Sequence, residues 1–298
     1  MTAILSDVAA AEELLRASPE HRILKMFRPR DTYGVVTDPA IGLFVDVEAT
    51  GLNTDEDSII QLGAIRFEYD RATGAVGRVL SSLAMLEDPG RPLDPVIVEV
   101  TGLTDEALRG KRIDDTQVAA MLSDVELVVA HNAEFDRHMT ERRFEGFDSV
   151  PWACSQRDVP WERFGCRYVG LEFLLMKACG EFYLPHDALD DCRAALHVLA
   201  TPRADERLPF SHLLEAAREP TLRVWAWGSA MWTKDRLRLR RYRWNANARC
   251  WWKDVKPADV EREREWLCLN VYDGNAEWAG EVETTTISAV DRYSRRAD

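Results

Sequence analysis

The sequence predicts an α/β protein: a mixed sheet covered by helices, followed by a small Trp/Arg-rich α+β domain. Three strand-like runs follow one another at 41–47, 58–69 and 79–86, with turn residues from Asp70 to Gly77 between the last two. Helix and strand patterns then alternate, which packs helices onto the faces of a sheet. Eight of the ten tryptophans lie from Trp225 onward, a density that excludes a disordered tail.

The elements follow in order. Residues 8–27 read as short helices split near Ser18-Pro19, and with the loop through Arg28-Pro29-Arg30 they form an N-terminal extension, 1–37. The main domain, 38–203, holds the three strands, a helix at 114–122 and a buried strand at 126–130. Further helices begin near Ala133, cover 170–179 and run over 187–199, the last with Leu189, Ala195, Leu196 and Leu199 on its apolar face. Composition changes at Thr201-Pro202-Arg203-Ala204-Asp205, so the C-terminal domain is 204–298. It reads as a strand at 222–227, a short helix at 233–240 and two strands across Asn245-Ala246-Asn247. A helix from Pro257, a residue suited to a first turn, and a short segment at 270–272 complete it.

At 298 residues and 46% apolar content the chain is an ordinary globular protein. No apolar run approaches the ~18 residues of a membrane span, and the first residues lack the basic and apolar regions of a secretory signal. Six cysteines stand singly, as expected for free thiols in a reducing cytoplasm and not for a zinc ribbon. The net charge is −13, yet residues 228–256 carry nine basic and two acidic residues, leaving −20 on the remainder. A polyanion would therefore meet the C-terminal part.

The chemistry starts at Phe44-Val45-Asp46-Val47-Glu48. Alternate residues of a strand share a face, so Asp46 and Glu48 point together. Two acids there are unfavourable unless a cation neutralises them. Three further pieces stand out: Val100-Thr101-Gly102-Leu103-Thr104, a turn between the strand region and the next helix; a strand running into a helix that bears Asp136 in its first turn; and His186 just before a helix that bears Asp190 and Asp191. Successive helix residues point about 100° apart, so only one of these two aspartates can join Asp46 and Glu48, and Asp187 suits the helix dipole. Carboxylate oxygens favour Mg²⁺ or Mn²⁺, where thiolates or clustered histidines would favour zinc. An imidazole ordinarily titrates near ~6.5 and can accept a proton from water at neutral pH. His131, His138 and His197 build no second metal set, and no nucleophile elbow, dinucleotide fingerprint or P-loop occurs.

The strings VDVEATGL, TGLT, HNAEFD and HDALDD, in this order between residues 41 and 200, resemble the DEDDh 3′→5′ exonucleases, the family of the bacterial DNA polymerase III proofreading subunit. The resemblance implies an RNase H-like mixed five-stranded sheet. It also implies two Mg²⁺ or Mn²⁺ ions on Asp46, Glu48, Asp136 and Asp191, with His186 as general base and Asp191 preferred to Asp190. Ala49, Thr50, Gly51 and Leu52 would hold the terminal nucleotide, Leu52 against its base, with Asn132 and Phe135 adjoining or packing. The implied activity releases nucleoside 5′-monophosphates from the 3′ end of DNA or RNA, with repair or replication proteins as candidate partners. The competing class is a nucleic-acid-binding adaptor that keeps the scaffold without turnover. Arg236, Arg238, Arg240, Arg241, Arg243, Trp244 and Lys253 form a candidate nucleic-acid patch, since interleaved cations and rings grip phosphates and stack bases. Against it, a domain of this size needs most of its tryptophans inside.

Overall fold

The structure, a computed structural model, describes residues 2–203, 207–274 and 282–297. Trp278, one of the eight C-terminal tryptophans, lies outside them. The chain begins with α1 (Thr2–Ala17) and β1 (Lys25–Met26), then β2 (Pro39–Ala49), β3 (Ile59–Asp70) and β4 (Val76–Leu86). Next come α2 (Pro95–Thr101), α3 (Asp105–Leu108), α4 (Asp115–Leu122), β5 (Val125–Ala130), α5 (Ala133–Arg143) and β6 (Trp152–Cys154). After these stand α6 (Leu171–Cys179), β7 (Glu181–Phe182), α7 (Ala188–Leu199) and α8 (Pro209–Arg218). The C-terminal part holds β8 (Thr221–Ala226), α9 (Lys234–Leu239), β9 (Arg243–Asn245), β10 (Cys250–Val255), α10 (Val260–Asn270) and β11 (Thr284–Ile287).

The main sheet has five strands in the order β4-β3-β2-β5-β6, a mixed sheet as expected. The β2–β3 and β3–β4 pairs are antiparallel; β2–β5 and β5–β6 are parallel. Alternation along β2 sends Leu43, Val45 and Val47 to one face, against Val118 and Met121 of α4 and Met139 of α5. Phe44 goes to the other, with Ile65 and Phe67 of β3, under Leu174 of α6 and Leu196 of α7. Each fully buried Leu or Phe contributes about 1.5–3 kcal/mol, so these two layers fix the platform under Asp46 and Glu48. Helix α8 starts with a proline in its first turn and buries Phe210, Leu213 and Leu214 in the Phe44 layer.

A second sheet, β11-β8-β10-β9, is antiparallel throughout. Val224, Leu237, Tyr242 and Leu267 pack its α9/α10 side. Of the seven C-terminal tryptophans described, Trp252 alone is buried, and it lies outside that core; Trp225, Trp251 and Trp266 are half-buried and Trp227, Trp232 and Trp244 exposed, so the expectation that most would lie inside is not met.

Three details differ from the expectations. Residues 20–27 are not helical: β1 pairs in parallel with β7, and Phe27 packs on His197 with ring centroids 5.2 Å apart. That pairing overrides a weak helical pattern. The TGLT turn joins α2 to α3, Gly102 ending one at φ 70° and Thr104 capping the other. Residues 270–272 close α10, and the last strand is the threonine-rich β11. All six cysteines are free thiols. Among the described residues no helix is long and apolar enough to cross a membrane.

Candidate active site

Asp46 and Glu48 stand on the same face of β2, opposite Gly63 and Gln61 of β3 in the antiparallel register. Neither β3 residue was anticipated from sequence, and both bring α7 to the acids. Gly63 has no side chain, so the Ala188 backbone lies directly over it; a β-carbon there would sit 2.3 Å from the Ala188 carbonyl carbon. Gln61 donates to Asp187 Oδ2 at 2.8 Å and accepts from the Ala188 N–H at 3.2 Å. Asp187 also caps α7 by accepting from the Asp190 N–H, in keeping with a helix-start role. Asp190 turns away and pairs with Arg193 at 2.9 Å, which leaves Asp191 facing the β2 acids.

The Glu48, His186 and Asp191 ligand atoms all lie within 4.8 Å of one another. His186 Nδ1 is 3.8 Å from Glu48 Oε1, and the ring is exposed. Its backbone adopts φ 71°, an uncommon conformation for a residue with a β-carbon, and its N–H donates to Asp191 Oδ2 at 3.1 Å. Tyr183, another residue the sequence reading passed over, lies beside the Asp191 carboxylate and acts against the rise that burial gives it. Asp136 comes from α5, which starts where β5 ends. Its Oδ1 accepts the Val47 N–H at 3.2 Å, a donor that β5 no longer pairs.

The four carboxyls raise one another's proton affinity. Burial, then Asp136, Asp191 and Glu48, hold Asp46 well above the usual carboxylate range. Burial, Asp191 and Asp136 push Glu48 up to about 8, and burial chiefly pushes Asp136 up to about 7. Burial also raises Asp191. Asp191 Oδ1 is buried without a hydrogen-bond partner. Concentrated carboxylate charge with an orphaned oxygen fits hard divalent cations, which accept oxygen ligands and remove the mutual repulsion.

Ala49 is the last residue of β2, and the next loop is braced from within. Asp57 accepts from Thr50 Oγ1 at 2.8 Å, the Asn53 N–H at 2.9 Å and Arg91 at 3.0 Å. The close approach that Gly51 permits is to this Asp57 carboxylate, 2.4 Å from where a β-carbon would stand. Leu52 projects from the braced loop, 88% exposed. Asn132 is exposed at the start of α5, and Phe135 packs against the Leu43 layer. His131 is held by Ser155 and the Val169 carbonyl, and His197 lies beside Glu181.

The seven residues of the C-terminal patch do not form one face. Arg240 and Lys253 both pair with the buried Glu263, and Arg243 pairs with Glu134 of α5. Arg236 reaches the Asn270 carbonyl and stacks near Trp232. Arg238 lies 5.9 Å from the Trp251 ring; Arg241 is exposed, as is Trp244 at 51%.

Residues 43–199 match a family model described as exonuclease. The chain is similar to the PolC-type DNA polymerase III of Bacillus subtilis, 34% identical over 97 residues, which is 30% of this chain and 6% of that polymerase. It is similar to the DNA polymerase III subunit epsilon of Treponema pallidum, 25% identical over 60% of this chain and 83% of that subunit. The chain thus spans a small fraction of the PolC-type relatives and most of the epsilon relative. Among solved structures, exonuclease X with 5′-overhanging duplex DNA matches with a TM-score of 0.40 and 19% identity, over 57% of this chain and 99% of that one. E. coli exonuclease I with a dA16 oligonucleotide matches at 0.44 and 20%, over 62% and 48%.

Proposed function

The chain belongs to the exonuclease family matched over residues 43–199, and from that premise we propose that it is a metal-dependent 3′→5′ exonuclease releasing nucleoside 5′-monophosphates from DNA or RNA. The observation that supports the reading is the set Glu48, His186 and Asp191, with Asp46 on the same face of β2 as Glu48 and Asp136 hydrogen-bonded to the β2 backbone between them.

In this reading the four carboxylates hold two Mg²⁺ or Mn²⁺ ions. Such cations, when bound, neutralise the phosphate oxygens and stabilise the departing alkoxide. The residues themselves do the rest. His186, exposed and within reach of Glu48 and Asp191, takes a proton from the attacking water. The loop from Ala49 to Leu52 orients the terminal nucleotide, the exposed Leu52 side chain covering an apolar base face. Asn132, exposed at the start of α5, borders the same space, while Phe135 supports the helix from inside.

The division into an extension (1–37), a catalytic unit (38–203) and a C-terminal unit (204–298) that aids nucleic-acid binding belongs to the same proposal, with α8 packed on the catalytic unit. Repair or replication proteins are the proposed partners.

The test is release of label from matched 3′-labelled and 5′-labelled single strands of DNA and RNA in Mg²⁺ or Mn²⁺. Mononucleotides should leave first from the 3′-labelled strand, and Asp46→Asn or EDTA should abolish release. Cleavage that survives both would refute the assignment, and metal and strand binding without product would favour the adaptor class.

A further inference from the structure

Behind α5 lies a cleft of about 350 Å³. One wall is α5 itself, through Glu134 and His138; the other is the face of the second sheet that α9 and α10 leave uncovered. Helix residues two apart lie about 200° apart around the axis, so these two side chains point away from Asp136. The cleft is therefore separate from the acid cluster but built on the helix that carries one of the acids.

Strand alternation explains its lining. On β10, Trp251 and Val255 join the helix-covered core, so Trp252 and Asp254 stand on the opposite face. Cross-strand register puts Arg243 beside Trp252 and Arg223 beside Asp254 on that same face. The Arg223 guanidinium lies 3.6 Å from the Trp252 ring centroid and is forked onto Asp254 at 2.8 and 3.1 Å. Arg243 sits 5.5 Å from the same ring while pairing with Glu134. These cations are fixed before any ligand arrives, which lowers the ordering cost of binding. Trp225 and Trp227 continue the face, stacked with centroids 5.5 Å apart, and Trp227 is exposed.

The charge balance is the reverse of the molecule's. Seven lysines and arginines border the cleft against three carboxylates; leaving out Lys253, whose ammonium goes to Glu263 of α10, the balance is a net +3 in a chain of net −13. Arg157, Arg241, Arg243 and Lys256 are the exposed members, and Arg157 and Arg243 both pair with Glu134. Arg241 follows α9 at φ 68°, where its own N–H returns to Arg238 and the Tyr242 N–H to Leu237. Glycine is the usual residue at such a helix end, since a β-carbon is strained there. The strain is accepted, and a guanidinium lines the cleft.

We propose that this cleft binds the phosphodiester backbone of a nucleic-acid strand, at a point remote from the end being cleaved. The exposed Arg241 and Lys256 offer donors to phosphate oxygens, and the exposed Trp227 ring offers a face to a base; an acidic peptide would use the charge and leave the ring unused. The inference rests on the nuclease reading only for the choice of polymer.

The experiment uses the full chain carrying Asp46→Asn and a fluorescein-labelled single strand of about 20 nucleotides, followed by anisotropy across a salt series. Adding Arg241→Glu with Lys256→Glu should weaken binding at low salt at least tenfold. It should also reduce the slope of log affinity against log salt by roughly 1–2, the share of two phosphate contacts. Should the charge-reversed chain fail to melt cooperatively, the glutamine pair Arg241→Gln with Lys256→Gln is read instead, with the same sign. Affinity and slope within twofold of the parent would overturn the cleft assignment, as would poly-L-glutamate of matched charge displacing the strand as well as unlabelled DNA does. The nuclease reading is scored separately, by hydrolysis of a chromogenic thymidine monophosphate ester by the wild-type chain. No hydrolysis with binding lost in the variants would leave the cleft standing without the nuclease; hydrolysis with binding unchanged would do the opposite.

Discussion

Gly63 of β3 and Ala188 of α7 touch backbone to backbone: a β-carbon on Gly63 would lie 2.3 Å from the Ala188 carbonyl carbon. Because Gly63 is the register partner of Asp46, this contact sets how close Asp191 comes to the β2 acids. Gly63→Ala should push α7 outward, costing about 1–3 kcal/mol as overpacking does, and should reduce cleavage far more than that loss of folded protein explains. Thermal melting and steady-state kinetics on the same preparation check it. Full activity in a destabilised variant would show that the spacing is not what matters.

The strand bearing Asp46 and Glu48 and the helices bearing Asp136 and Asp191 were legible because period-2 and period-3.6 patterns are local, whereas the five-stranded sheet was implied only by the family resemblance and its three-residue edge strand β6 was not read. Gly63 and Gln61 were not: a glycine inside a strand carries no sign of which helix will lie on it, and Gln61 matters only through residues 126 and 127 positions away. The cations of the C-terminal patch read as one group in sequence. In the structure alternation and Glu263 separate them, taking Arg240 and Lys253 to one partner and Arg243 to Glu134. Residues 20–27 were misread because β1 is only two residues long and exists only through its pairing with β7.

The acid cluster predicts an unusual pH dependence of stability. Glu48 is pushed up to about 8 and Asp136 to about 7, whereas in the unfolded chain both titrate in the ordinary carboxylate range. Between those limits the folded state binds more protons than the unfolded state, so stability falls as pH rises. Without metal, the melting temperature should drop between pH 5 and pH 8 by roughly 4–8 °C, the equivalent of about 2 kcal/mol for a protein of this size. Millimolar Mg²⁺ should flatten the slope, since a bound cation replaces those protons. A metal-free melting temperature that holds or rises over this range would contradict the clustering.

His186 stands apart from the carboxylates in being exposed and in reaching the cluster from a left-handed backbone position. His186→Ala should slow turnover by about 10²–10⁴-fold, the usual share of a general base, with less effect on strand affinity. Single-turnover rates and anisotropy separate the two effects. A slowing of less than about threefold would remove His186 from proton transfer.

The segment after β11 is tied to the site through Arg137, the neighbour of Asp136. Arg137 is fully buried, and its guanidinium donates to the carbonyl oxygens of Arg292 at 2.7 Å and Val290 at 2.5 Å while pairing with Glu141 at 2.6 Å. Ser294 and Arg296 hold the same Glu141, and Arg295 reaches Thr54 in the loop beyond Leu52. Removing residues 288–298 would leave a buried cation with two donors unmatched, at about 1–3 kcal/mol for each. The shortened chain should melt several degrees lower and cleave more slowly, because α5 and the loop lose a common anchor. Arg137→Lys in the full chain should reproduce part of the kinetic defect, since an ammonium cannot span both carbonyls and Glu141 in one plane. Wild-type cleavage per folded molecule in both variants would show that the C-terminal segment stabilises the fold without positioning Asp136.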